Sequence, residues 1–480
     1  MQTIPMSVRQ DDDIAIRNEN TMRKDMLSMH TERFAELSQH IAGEVIMPGS
    51  ETYEHLRNVF NQTGSPAGIV KAQTHQDIVE ALRFAREQEL PLSVRSGGHG
   101  LSGQATNTEG LVIDLAAFHQ VEILDPKRHL VRLGAGAHWG EAAQALAEHG
   151  LAISSGDTKQ VGVGGLTLGG GIGWLVRTHG LTIDSLCAAE LVTADGRILR
   201  VSVEEHPDLF WAIRGGGGNF GVVTSFDFYA IPCPAVIGGS VIYDVAEAES
   251  VLAAWAQAMR EAPEELNSTI LLFSGFGAQV PPRVSVLFCY AGDAQAKADA
   301  AIQPLLHLGT VQTQHIQKMP YHAMLEDAVS PPPGLKNVGH NGFLKTLSNE
   351  AIAVLAANYG QPGKPIAQIR SLGGAMARVR SQATAFAHRE SEALVIVPAF
   401  APVSAGEVQA QQIRQAAWGP LAALSRGAFV NFLTDASQAS VAAAYPDETF
   451  ARLASIKATY DPDNLFNQNW KSKLAVKTQA

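Results

Sequence analysis

The residues best suited to chemistry are those of Arg95-Ser96-Gly97-Gly98-His99-Gly100, where an apolar strand pattern (Leu92, Ser93, Val94) runs into paired glycines and one imidazole. Adjacent glycines let a backbone approach a ligand closely and aim N–H groups at it, so the segment reads as an anion-cradling turn presenting a histidine. On these residues alone, a plain strand-to-loop turn with a hydrogen-bonded histidine is the alternative. A second glycine field over 154–174 shifts the balance, because two such fields in one domain suit a large phosphate-bearing ligand. In a third field, Gly216, Gly218 and Gly221 satisfy GxGxxG, but they precede the β-branched run 222–226. A Rossmann dinucleotide site requires a helix there, so that fold is set aside.

The elements that must position these turns follow from periodicity. A strand at 68–72, a Thr74-capped helix through Ile78, Leu82 and Ala85, and a strand at 90–95 form a β-α-β unit that delivers the chain to the histidine turn. Strand patterns recur at 111–115, 130–133, 186–192 and 198–203, the last two joined by Asp195-Gly196, and a helix is expected over 140–151. After the linker Ile231-Pro232-Cys233-Pro234 the glycine fields stop. Strands at 239–243, 269–273 and 284–290 alternate with amphipathic helices at 246–259 and 294–306, the texture of an α+β domain with a largely antiparallel sheet. A strand at 428–432, a helix through Phe450, Leu453 and Ile456, and an asparagine-rich loop after Asp461-Pro462 close the chain.

Composition narrows the partners. A chain of 480 residues exceeds one ordinary core, so two or more domains are expected. Its 46% hydrophobic and 17% charged content is globular, and a formal net charge of -11 speaks against nucleic acid. No run approaches the roughly 18 apolar residues of a membrane span. Cys187, Cys233 and Cys289 are widely spaced and form no CxxC, which argues against a disulfide framework or a zinc site; no metal is expected. With no secretory-type segment at the start, the expectation is a soluble, cytoplasmic protein whose partners are small molecules.

Together these segments resemble the berberine bridge enzyme-like flavoproteins, within the vanillyl-alcohol oxidase / p-cresol methylhydroxylase (PCMH) type of FAD fold; the pattern is most similar to bacterial members akin to 6-hydroxy-D-nicotine oxidase. The resemblance spans roughly 51–470 and rests on the three glycine fields with the closing Asp-Pro-Asp-Asn-Leu-Phe loop. It implies an N-terminal extension (1–45), a PCMH-type FAD domain of two α+β subdomains (64–234), a substrate domain with an antiparallel sheet flanked by helices (235–427), and a C-terminal segment returning to the FAD domain (428–480). It further implies FAD bonded through its 8α-methyl carbon to His99. Cofactor-binding residues would be Arg95, Ser96, Gly97, Gly98, His99, Gly100, Ser155, Gly156, Thr158, Gly162, Gly164, Gly165, Gly169, Asn464 and Asn467.

Three departures bear on mechanism. Thr158 stands where some members attach the flavin a second time through cysteine, so a single attachment is expected. Phe429-Val430-Asn431-Phe432 replaces the Tyr-x-Asn-Tyr strand that carries a candidate base, leaving Asn431 to orient substrate. His340 occupies the lysine position of a Tyr-Trp-Lys motif and is the candidate base. The implied activity is hydride transfer from an alcohol or amine to flavin with dioxygen as second substrate; a dehydrogenase with another acceptor, or a catalytically silent flavin-binding protein, are the alternatives.

Overall fold

A computed structural model describes residues 32–275 and 280–468. The start of the expected extension, 1–31, and Asn469 of the closing loop lie outside them. From residue 32 onward the chain is built into the first domain: Phe34 and Leu37 are buried in its core, and Glu44–Ile46 adds a strand antiparallel to Gly68–Lys71.

The β-α-β unit forms as its capping signals dictate. The Thr74 hydroxyl accepts from the Asp77 N–H, the Asp77 side chain answers at the Thr74 backbone, and the helix His75–Glu87 buries Ile78, Ala81, Leu82 and Ala85. Gly68–Lys71 and Leu92–Arg95 both pair in parallel with Leu111–Asp114. A second sheet orders Ile198–Ser202, Leu186–Val192, Val222–Tyr229, Leu130–Gly134 and Val121–Asp125, all antiparallel. Val222–Tyr229 follows the third glycine field as a strand, which bears out the argument against a Rossmann site.

The middle domain is a seven-stranded antiparallel sheet in the order Val311–Met319, Val236–Tyr243, Arg283–Tyr290, Leu266–Phe273, Ala367–Ser371, Ala393–Val397, His340–Leu344. The helices Ala248–Glu261 and Asn349–Asn358 cover it, placing Trp255, Leu252 and Leu355 in a core separate from that of the first domain. This mixed α and β architecture matches the expected fold class.

One local expectation fails. Residues 428–432 are not a strand: Val430–Phe432 is a 3-10 turn, because Asn341 clamps Phe429 on both backbone groups, accepting from its N–H at 2.6 Å and donating to its C=O at 3.3 Å. Residues 383–389 form a loop pinned by buried Arg389, whose guanidinium makes paired hydrogen bonds of 2.7 and 2.8 Å to Asp184.

The last helix, Asp447–Tyr460, returns to the first domain. Buried Lys457 donates to the C=O groups of Asn219 and Phe466, each at 2.9 Å, and pairs with Asp461, a carboxylate with 0% side-chain exposure. Asp461 also accepts from the Leu465 and Phe466 N–H groups, which is what shapes the Asp-Pro-Asp-Asn-Leu-Phe loop. Lys457→Met would leave that carboxylate buried and unpaired, at a cost of about 3–5 kcal/mol. A lowered denaturation midpoint together with reduced bound flavin is the expected measurement.

Candidate active site

The two glycine turns meet backbone to backbone. A Cβ on Gly162 would lie 2.2 Å from the Gly97 nitrogen, and one on Gly97 would lie 2.4 Å from the Gly162 nitrogen, so neither position accepts a side chain. The Ser96 hydroxyl ties the turns together, donating to the Ala135 C=O at 2.5 Å and accepting from the Gly164 N–H at 3.3 Å. Gly98 takes φ +70°, the left-handed turn that swings His99 out.

Between these turns lies a cavity of about 380 Å³, within the usual range for small-molecule sites. Of the sequence-derived cofactor residues, Ser96, Gly97, Gly98, His99, Gly100, Gly156, Thr158, Gly162, Gly164 and Gly165 line it. Gly217, Gly218 and Asn219 of the third glycine field line it too, although their use was not foreseen once the Rossmann reading fell. Others of the set stand behind the wall. Arg95 pairs with Asp114 inside the parallel sheet, and Ser155 is buried 3.1 Å from the Tyr321 hydroxyl. Asn464 turns the closing loop at φ +55°, and Asn467 accepts from the Gln468 side chain. Gly169 packs against the Asn431 amide, where a Cβ would sit 1.9 Å from Oδ1.

The cavity suits an anionic, planar ligand. Among the described residues the N–H groups of Gly97, Gly98, His99 and Gly100 have no acceptor, and open space lies where a Gly165 side chain would be. Ile172, Phe429, Val430, Phe432 and Leu433 form an apolar wall at the junction with the middle domain. From that domain Arg370 enters, 10% exposed, 2.6 Å from Asp157 and 5.3 Å from the Phe432 ring centre.

The two sequence-derived catalytic residues part company. Asn431 lines the cavity, but its amide nitrogen donates to the Leu166 C=O at 3.0 Å, docking it on the glycine-rich helix Val163–Gly169. His340 lies outside the lining, its ring edge-on to Trp418 at 4.8 Å. Ionisable side chains on the wall, among the described residues, are His99, Asp157, Arg370 and Asp435. Asp435 is committed to Arg414, Ser437 and Ser440. Asp157 was missed because its sequence neighbours, Gly156 and Thr158, look like phosphate-loop residues; only the fold brings Arg370 to it.

Burial lowers the pKa of His99, with His138 adding to the effect; it likewise lowers those of His340, where Arg414 contributes, and His388, where a bond with the Ala444 backbone opposes it. Near neutrality neither the folded nor the unfolded chain protonates these groups. Below the unfolded value of ~6.5 the unfolded chain binds protons that the fold excludes, so stability falls with pH by up to ~1.4 kcal/mol per pH unit for each histidine. The melting temperature should drop from pH 7.5 to 5.5, and less so for His388→Gln.

Residues 66–202 match a family model described as FAD binding domain, and residues 428–470 one described as berberine and berberine-like. The chain is 32% identical to the FAD-linked oxidoreductase YgaK of Bacillus subtilis, over 89% of this chain and 96% of that one. It belongs to the berberine bridge enzyme-like FAD-linked oxidoreductases. FAD is therefore the cofactor of this oxidoreductase, and the glycine-lined cavity with its free N–H groups fits it. The (R)-6-hydroxynicotine oxidase of Paenarthrobacter nicotinovorans is 28% identical over 90% of this oxidoreductase and 96% of its own length. Solved structures agree: 6-hydroxy-D-nicotine oxidase of Arthrobacter nicotinovorans superposes with a TM-score of 0.79 at 26% identity, covering 90% of this chain and 97% of that one. The xylooligosaccharide oxidase of Myceliophthora thermophila, solved with xylobiose, gives 0.77 at 26%, again covering 90% and 97%. Among the described residues of this oxidoreductase, no helix is long and apolar enough to cross a membrane, no acid-histidine-cysteine cluster could hold a metal, and all three cysteines are free thiols.

Proposed function

We propose that this oxidoreductase is an oxidase that carries FAD on His99 as its single covalent attachment and oxidises a small-molecule alcohol or amine, with dioxygen as second substrate and hydrogen peroxide as product. The observation that carries the reading is a half-buried imidazole, lowered in pKa and therefore neutral, on the wall of a cavity that all three glycine fields line. A neutral imidazole has the lone pair that the attachment needs. In balance, one hydrogen leaves the imidazole and one the 8α-methyl group, an N–C bond forms, and the two protons and two electrons depart on dioxygen as hydrogen peroxide. Thr158 cannot form a thioether, which supports one attachment rather than two.

Bound FAD supplies the hydride acceptor, and the remaining work falls to side chains. Free N–H groups of residues 97–100 hold the phosphates and polar edge. Phe429, Phe432 and Ile172 hold a ring-bearing substrate and exclude water. The substrate proton goes to Asp157, the wall carboxylate with fewer partners: Arg370 and Thr158 hold it, whereas Arg414, Ser437 and Ser440 all bind Asp435, Arg370 is a cation and His99 is the tether. His340, away from the wall, cedes the role of base, and Asn431 shapes the floor beside Leu166.

Acid precipitation of the purified protein is expected to leave the yellow colour in the pellet. A panel including 6-hydroxynicotine, xylobiose and benzylic alcohols, read by flavin bleaching under argon and peroxide in air, tests the rest. Bleaching without peroxide would make the protein a dehydrogenase.

A further inference from the structure

The hairpin formed by Asn58–Val59 and Gln62–Thr63 belongs to neither glycine field, yet its two-residue turn, Phe60-Asn61, lies directly on the His99 loop. The Phe60 ring stacks on the His99 imidazole with centres 4.9 Å apart and planes 24° from parallel, and Phe60 itself lines the cavity. Its N–H donates to the Gly98 C=O at 3.0 Å. The Asn61 amide nitrogen donates to the Leu101 C=O at 2.7 Å, and Gln62 donates to the Ser102 C=O at 3.2 Å. Three successive residues of the hairpin thus hold three carbonyls on either side of His99. Asn61 also reaches the middle domain, donating to the Asn337 C=O and accepting from the Asn337 N–H, both at 2.8 Å.

We propose that this turn fixes the His99 imidazole in its bonding orientation, which makes Phe60 a positioning residue for flavin attachment; the inference rests on the attachment at His99 proposed above. An imidazole following two glycines has little of its own to fix its side-chain torsions. A stacked aromatic face removes that freedom without offering a hydrogen bond that would occupy a ring nitrogen, and it keeps water from the ring. Anchoring through the Gly98, Leu101 and Ser102 carbonyls ties the platform to the loop that carries the imidazole, so ring and stacking partner keep one register.

The test is the rate at which flavin becomes acid-precipitable in the full chain kept in excess FAD. Phe60→Leu conserves an apolar contact but not the stack, and it is expected to slow attachment at least tenfold while total bound flavin before acid stays within twofold. Phe60→Tyr should restore the native rate. Asn61→Ser, which keeps the ring but cuts the clamp, should slow attachment as well; it keeps the proposal testable if Phe60→Leu melts early. Attachment in Phe60→Leu at the native rate, with a native melting temperature, overturns the positioning role. Should the native protein release all its flavin, or His99→Ala retain it in the pellet, it is the attachment reading that fails, and the two failures stay separate.

Discussion

Asp157→Asn should slow anaerobic flavin reduction by ~10²–10⁴-fold, the usual worth of a positioned general base. The substitution is nearly isosteric: the amide oxygen can accept from Arg370, which pairs with Asp157 Oδ2, while the amide NH2 donates to the Thr158 hydroxyl oxygen, which lies 3.1 Å from Asp157 Oδ1. Bound flavin and melting temperature should therefore change little. The split between KM and kcat separates a base from a structural part: losing a base lowers the rate at saturating substrate while flavin content is unchanged. The charged groups around Asp157 are Arg370 from the middle-domain strand, Glu326 from the turn after Tyr321, whose own carboxyl is raised by burial and by Asp157, and Lys159 from the same loop. Native-rate reduction in Asp157→Asn with full flavin would remove the residue from the mechanism.

His99→Ala should move all the flavin colour from the acid pellet to the supernatant, a qualitative change rather than a graded one. The protein before acid should still be yellow, because the N–H groups of Gly97, Gly98 and Gly100 and the aromatic wall persist without the imidazole. Flavin that stays in the pellet would point to a second attachment, which the hydroxyl of Thr158 cannot provide.

Much of this was legible in the sequence because glycine spacing and strand patterns are local. The Arg95 to Gly100 turn, the 154–174 field and the Val222 strand could be read from neighbouring residues, and the closing loop was recognisable through Asp461 and the asparagines around it. What escaped depends on distant partners. Nothing near Phe429 announces that Asn341, 88 positions earlier, will bend it out of a strand. The Asp157–Arg370 pair joins two domains, and His340 looked catalytic only because a position in a motif does not reveal that Trp418 will cover its ring. The Phe60-Asn61 turn carries no glycine and no charge, so nothing in its composition marks it.

The cavity wall draws on stretches far apart in the chain: residues 60–172, the third glycine field, Arg370, 429–435 and finally Phe466 and Gln468. A nascent polypeptide thus exposes its first glycine turns well before the closing segment leaves the ribosome, by ~15–60 s at ordinary elongation rates. The wall is therefore complete only once the closing segment has been made, and a chain that stops before Lys457 lacks the part of it that Phe466 and Gln468 supply. Cellular yellow colour would then serve as a reporter of full-length synthesis.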